Sequence, residues 1–311
     1  MALDIGLILS AVLAGMIPRA MPALLAATGE NIDEIGGVLN LGVEGMMLMG
    51  AIVAFIVDYN TGSILLGFLA AGAVGLLFSF FHAVASVTLK ADQVVSGTAI
   101  WFIGWGLSGV LYHAAFGFTT SPVRINTLPS VSIPYLSNLP WVGTLIFGES
   151  PIFYLTLLLI AGVQYFLYHT KPGLNLRTVG ENPRVADVMG VNPMRYRYGA
   201  TLFGGFLAGL GGAYLTLVIV GSFDYDMTAG IGFVAVALVL FGKWRPWRVF
   251  IGAMVFGAIY VLYLTLESVL PSFPYQFLEM WPYLATLAFI VVVGKRANPP
   301  QALGRPYDKG E

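Results

Sequence analysis

Asn40 and Glu44 stand four residues apart in an otherwise apolar run, a spacing that puts both on one face of a helix. An ionised carboxylate deep in a membrane span is costly and is usually there for function. If the helix begins near Ile35, Glu44 lies near mid-depth; if it begins at Leu41, Glu44 lies near the interface and the penalty largely vanishes. Two roles stay open: contact with a ligand, or acceptance of hydrogen bonds from a neighbouring broken helix. Gln93 and Ser96 also share a face, beside Asp92 and Gly97. A helix interrupted there would expose backbone groups that only a cavity could accommodate. The alternative is a polar turn between two spans. Trp101, Phe102, Trp105 and Phe233 offer flat apolar faces for stacking, or simply pack against lipid and neighbouring helices.

A second kind of chemistry lies in Glu181-Asn182-Pro183-Arg184-Val185-Ala186-Asp187-Val188-Met189-Gly190. Asn182 suits an N-cap and Pro183 the first helical position. Gly190 suits a left-handed stop. The spacing predicts a helix of about two turns, with Val185, Val188 and Met189 on one face and Arg184 and Asp187 as polar neighbours. Such a helix could seat in a groove on a partner, or merely tie two spans together.

The elements that must position these residues are apolar. The chain has 311 residues, 58% hydrophobic and only 10% charged, against roughly 25% charged in an ordinary soluble domain. About 20 apolar residues cross a bilayer as a helix. Runs of that kind fall at 5–26, 38–57, 63–89, 95–118, 150–168, 198–221, 228–242, 249–270 and 277–294. The expected fold is therefore an all-α polytopic bundle of about nine spans, eight to ten by this count, in a single domain over 1–311. Pro18 and Pro22 would kink the first span unless neighbours satisfy the freed carbonyls. The proline-rich stretch 119–150, with Pro122, Pro129, Pro134 and Pro140, reads as an extramembrane loop.

Twelve of the fifteen basic residues sit in three groups: Lys171, Arg177, Arg184, Arg195 and Arg197; Lys243, Arg245 and Arg248; Lys295, Arg296, Arg305 and Lys309. Two spans separate each group from the next, so all three share one side, which the positive-inside rule names the cytoplasm. The N-terminus is then outside, the C-terminus inside, and only Arg124 is left on the outer side. No cysteine is present, and three histidines lie far apart, so disulfides, thiolate metal sites and a histidine metal cluster are not expected. A net charge of −1 gives no basic footprint for nucleic acid. Spans two and three resemble spans seven and eight in glycine-spaced apolar pattern and start from opposite sides, a weak inverted repeat. Gly205…Gly209 in span six has the spacing that lets helix backbones approach closely.

Val179–Asn192 resembles the cytoplasmic coupling loop of ABC importer permeases in the superfamily handling branched-chain amino acids, ribose and related sugars. Asn40-Leu41-Gly42-Val43-Glu44-Gly45-Met46-Met47-Leu48-Met49-Gly50-Ala51 is similar to the second-span motif of its nucleoside (simple sugar) branch. So are Ala91-Asp92-Gln93-Val94-Val95-Ser96-Gly97, Met227-Thr228-Ala229-Gly230 with Gly232-Phe233, Phe241-Gly242-Lys243-Trp244, and the tail Gln301-Ala302-Leu303-Gly304-Arg305-Pro306-Tyr307. The resemblance runs in order along nearly the whole chain.

It implies a bacterial inner-membrane importer in which this chain is one of two homologous permease subunits. An extracytoplasmic binding protein or lipoprotein would deliver substrate, and a separate cytoplasmic ATPase would bind ATP and Mg²⁺. Consistently, the chain has no G-x-x-x-x-G-K-[ST] phosphate loop, and neither cofactor nor metal is expected in it. On this footing 169–197 is the coupling loop. Asn40, Glu44, Asp92, Gln93, Ser96, Trp101 and Phe233 are candidates for the substrate pathway. Nucleosides are the favoured substrate, with simple sugars or riboflavin as alternatives. Two other classes compete: an ion-coupled secondary transporter with Glu44 or Asp92 as the coupling charge, and a membrane-embedded enzyme, which would need a cluster of acid, base or metal-binding groups.

Overall fold

The computed structural model describes residues 5–118, 121–131, 147–270, 273–294 and 297–308. The segments expected to carry Pro134, Pro140, Lys295, Arg296, Lys309 and the first four residues lie outside them, as does most of the 119–150 loop. Twelve α-helices are described: α1 Ile5–Ile35, α2 Val43–Thr61, α3 Ile64–Ala83, α4 Gln93–Phe116, α5 Pro151–His169, α6 Lys171–Glu181, α7 Pro183–Val188, α8 Pro193–Tyr214, α9 Ile231–Gly242, α10 Pro246–Val269, α11 Tyr275–Glu279 and α12 Trp281–Gly294. α3 and α8 each end in a π-helical turn, over Val84–Thr88 and Leu215–Val220.

Seven of these helices, α1 to α5, α8 and α10, are long and apolar enough to cross a membrane. The seventh expected span is α9, whose 12 residues reach about 18 Å, too short to cross alone. The ninth is split between α11 and α12. The larger correction is at the start of the chain. The first span does not stop near Ala26 but runs as one helix through Pro18 and Pro22 to Ile35. The second begins only at Val43. The residues between, 36–42, are non-helical and almost entirely buried.

The bundle is built on close helix crossings at glycines. α1 and α8 run antiparallel, Gly29 against Gly204 and Pro22 against Gly211. α10 packs on α1 where Gly257 meets Met16 and Ala20, and α3 packs on α8 where Gly75 and Ser79 meet Gly205 and Gly209. A Cβ at Gly29, Gly75, Gly209 or Gly257 would overlap the facing backbone, so glycine at these positions permits the approach. Thirteen of the nineteen residues of α2 are buried, and this helix occupies the centre. The element order α1, break, α2, α3, α4 recurs as α8, break, α9, α10, α12, and the leading helices of the two series, α1 and α8, are antiparallel.

Contacts among distant segments gather one end of the bundle. Tyr198 hydrogen-bonds Thr88, Lys90 pairs with Asp308 at 2.6 Å, and the Gly180 carbonyl accepts from the Ala302 amide at 2.9 Å. This end holds Lys90, Lys171, Arg177, Arg184, Arg195, Arg197, Lys243, Arg245, Arg248 and Arg305, whereas Arg124 lies at the other. There the segment 121–131 is strapped across the end of α8, Ile125 to the Gly221 carbonyl and Leu128 to the Leu217 carbonyl, both at 2.8 Å. Arg19 lies within α1, its guanidinium 5.8 Å from the centre of the Tyr260 ring.

Candidate functional site

The two breaks, 36–42 and 221–230, meet at the start of α2. Irregular backbone inside a membrane protein survives only when its polar groups are satisfied within the protein. At the first break this is done by side chains: Gln93 Oε1 accepts from the Leu39 amide at 2.7 Å, Glu30 Oε1 from the Asn40 amide at 3.0 Å, and Asn40 Oδ1 from the Gly42 amide at 3.0 Å. At the second, Glu44 accepts from Thr228 Oγ1 at 2.5 Å and from the amides of Gly230 and Gly232 at 2.8 and 2.6 Å. A carboxylate at a helix N-terminus gains from the helix dipole as well as from these donors. Glu44 thus lies 1% exposed although α2 starts beside it, because the chain that precedes it is itself enclosed.

The second break carries backbone strain. Asp226 and Ala229 hold φ of +57° and +44°, between Gly221 at +70° and Gly230 at +86°. For a residue with a Cβ this conformation costs roughly 1–2 kcal/mol. It is held in place by Tyr283, whose hydroxyl donates to the Ala229 carbonyl at 2.6 Å, and by Glu44.

The candidate pathway residues separate into two sets. Asn40, Glu44 and Gln93 are buried and spend polar atoms on the breaks; Gln93 Nε2 has no partner. Trp101 stacks on Phe102 at 4.6 Å and meets Phe233 edge-on at 5.1 Å. Phe102 and Phe233 are 57% and 36% exposed, so these rings form a face of the bundle beside the Glu44 junction. Trp101 Nε1 is buried without a partner. Asp92 and Ser96 lie at the entrance to α4. Asp92 is an exposed N-cap, accepting from the Val94 and Val95 amides at 2.9 Å each, and Ser96 bonds His82 Nδ1 at 3.1 Å. The structure makes 89–92 a turn leading to a capped helix start.

What residue patterns did not reveal is the end of α1. Glu30, Asn31, Asp33 and Glu34 are all buried. Asp33 accepts from Thr201 Oγ1 and Glu34 from Trp244 Nε1, each at 2.6 Å. The signal was present in the sequence as four polar residues directly after an apolar run, but polarity alone reads as a loop. Arg197 is 1% exposed and donates to the Arg305 and Ala302 carbonyls at 2.9 and 3.4 Å. It ties the C-terminal tail to the same region. No group of three or more His, Asp or Glu able to hold a metal occurs among the described residues.

The connector 169–197 folds as α6, α7 and the first turn of α8. Asn182 caps α7, its Oδ1 accepting from the Val185 amide at 3.1 Å, and Gly190 ends it at φ +82°. Ala186 is buried beneath, while Val185, Val188 and Met189 are 51, 87 and 76% exposed. Glu181 and Arg184 are exposed, Pro183 and Asp187 half-buried. Gly180, just before α7, is pressed so closely on Ile35 that a Cβ would overlap the Ile35 carbonyl. A Cβ added at Gly37 in the first break would come within 3.5 Å of Arg197, Ala302 and Gly180. An apolar projecting helix is therefore mechanically joined to the buried break.

Residues 12–293 match the family described as branched-chain amino acid transport system / permease component. The chain is 38% identical to a Haloferax volcanii protein assigned as a glucose ABC transporter permease, over 94% of this chain and 96% of that one. It is 35% identical to a guanosine ABC transporter permease of Bacillus subtilis, covering 99% and 100%, and 33% identical to a nucleoside ABC transporter permease of Lactococcus lactis, covering 97% and 98%. No solved structure matches it. With a bundle of membrane-crossing helices, a projecting capped helix and similarity along its full length, the chain belongs to the permease component family of branched-chain amino acid-type ABC transport systems.

Proposed function

We propose that this permease imports nucleosides, with the basic end of the bundle in the cytoplasm of a bacterial cell and the N-terminus outside. The observation that carries the substrate reading is the Trp101–Phe102–Phe233 face beside the Glu44 junction. A nucleobase needs flat apolar surfaces to stack on and a few polar groups to orient it; Trp101 Nε1 and Gln93 Nε2 are the unpartnered donors nearby. Asn40 and Glu44 hold the breaks that shape the path, and Asp92 and Ser96 order its inner mouth. A second homologous permease covers this face, an extracytoplasmic binding protein or lipoprotein delivers substrate, and a separate ATPase holds ATP and Mg²⁺. Two relatives named for nucleoside or guanosine transport support this reading.

Coupling enters through Glu181–Gly190. Closure of the ATPase on ATP pushes α7, whose exposed Val185, Val188 and Met189 fit an apolar groove. Gly180 passes the movement to Ile35 and the 36–42 break, and the two inverted halves rock against each other. The named glucose relative gives a simple-sugar reading the next place. Proteoliposomes holding the complete transporter decide between them. ATP-dependent uptake of labelled guanosine or uridine is expected, reduced at least tenfold by Phe233→Ala. Uptake of glucose or riboflavin without nucleoside uptake would refute the substrate assignment, and uptake without the ATPase would make this an ion-coupled carrier.

A further inference from the structure

We infer that the groove between α5 and α8 at the basic end is a binding site for an anionic phospholipid, with one acyl chain in the groove and the phosphate at Arg195. The groove encloses about 600 Å³, within the roughly 300–1,000 Å³ typical of ligand sites. Its floor is Ile32 of α1 and Leu176 of α6; its walls include Phe166 of α5 and Phe203 of α8.

Two glycines cut it open. Gly162 of α5 and Gly199 of α8 line it, both are exposed, and a Cβ at either would meet nothing within 4 Å. Gly29, Gly75, Gly209 and Gly257 each admit a neighbouring backbone; Gly162 and Gly199 admit nothing that belongs to the chain. α5 buries only the stripe Phe153, Thr156, Ile160, Val163 and Leu167, so the slot beside it is left to whatever surrounds the bundle. For a membrane-crossing helix pair that is lipid.

Charge selects the kind of lipid. Arg195 lines the mouth, is exposed, and makes no ion pair among the described residues. A guanidinium beside the headgroup layer attracts anionic lipid and offers a phosphate two donors. Tyr196 sits next to it with its hydroxyl already accepting from Asn175 Nδ2 at 2.8 Å, which leaves that hydroxyl a proton to donate.

The test uses the assembled transporter in nanodiscs containing phosphatidylglycerol with a photoreactive acyl chain, followed by peptide mapping. Labelling is expected on 159–166 and 195–203. Gly162→Leu combined with Gly199→Leu puts apolar side chains into the slot from Cβ positions that meet no atom of the chain within 4 Å, and favours helix at both positions. It should abolish labelling while the thermal unfolding midpoint holds. Arg195→Gln should lower labelling about fivefold. Labelling unchanged in the double-leucine variant, or equal with phosphatidylcholine carrying the same chain, overturns the site. Competition by excess inorganic phosphate would mark a free-anion site and also overturn it. Labelling of the isolated chain but not of the complex would mean that a protein subunit fills the groove, and the lipid assignment would fall.

Discussion

Glu44 of α2 closes the start of α9, receiving the Gly232 amide at 2.6 Å and, through its other oxygen, the Gly230 amide at 2.8 Å. A half-helix that begins inside the protein leaves its first amides without intrahelical partners. Here one side chain, 188 residues away in sequence, supplies the acceptors. Glu44→Gln keeps the shape but turns one acceptor into a donor facing an amide. Hydrogen bonds to charged groups contribute about 1.5–3 kcal/mol each. The purified variant should unfold at a lower temperature and lose uptake in proportion. An unaltered midpoint would show that α9 does not depend on this carboxylate.

Replacing Val188 and Met189 by Asp tests the projecting helix. Both are so exposed that the fold of this chain should not change, yet an apolar seat on a partner would be lost. Substrate-stimulated ATP hydrolysis by the complex should drop to its basal rate with normal subunit assembly. Val185→Pro removes the amide that Asn182 caps, at about 1 kcal/mol, and should act in the same direction, as should charge reversal at Arg184 and Asp187 together. Stimulation retained in all three would remove α7 from the coupling path.

Gly180→Ala probes the link from α7 to the first break. The added methyl collides with the Ile35 carbonyl, and α6 must shift to admit it. Uptake should fall several-fold while basal ATP hydrolysis continues. Full uptake would mean that motion reaches the bundle by another route.

Two glycines with opposite surroundings separate packing from propensity. At Gly212 a Cβ overlaps the Met47 carbonyl, whereas at Gly106 it meets nothing. Gly212→Ala should destabilise the chain by about 1–3 kcal/mol through overpacking, while Gly106→Ala should leave it unchanged or stabilise it by up to about 1 kcal/mol. Thermal unfolding of the two purified chains gives the comparison, and equal midpoints would contradict the packing assignment.

Glu149, next to the start of α5, is 5% exposed. Burial pushes its carboxyl up to about 7, partly offset by the Ser150 amide. The folded chain therefore binds its proton more tightly than the unfolded chain, whose carboxyl titrates at about 4.3. The stability from this group is fully present below that value and is lost as pH rises through about 7. Glu149→Gln should flatten the decline in unfolding midpoint over this window and raise the midpoint at pH 8. A steeper decline in the variant would reverse the sign.

Much of this protein is legible in its residues because the causes are local. Apolar runs mark the spans, since about twenty such residues must replace water with lipid. Basic residues segregate to one end for the same long-range electrostatic reason wherever they occur. The cap, proline and stop of α7 act within a few residues of one another, so Asn182, Pro183 and Gly190 declare that helix without any tertiary help.

The end of α1 is different. Glu30, Asn31, Asp33 and Glu34 have the composition of a loop, and hydropathy ends the span before them. Only the tertiary structure brings Asn40, Thr201 and Trp244 to their carboxylates, across 10, 168 and 210 residues of sequence. The cost of burying a charge depends on partners that no local window contains. Residue types and their order were therefore enough to mark where apolar helices lie and which end is basic. Where α1 stops, why Glu44 is buried, and how the two breaks come to share one junction emerged only from the packed chain.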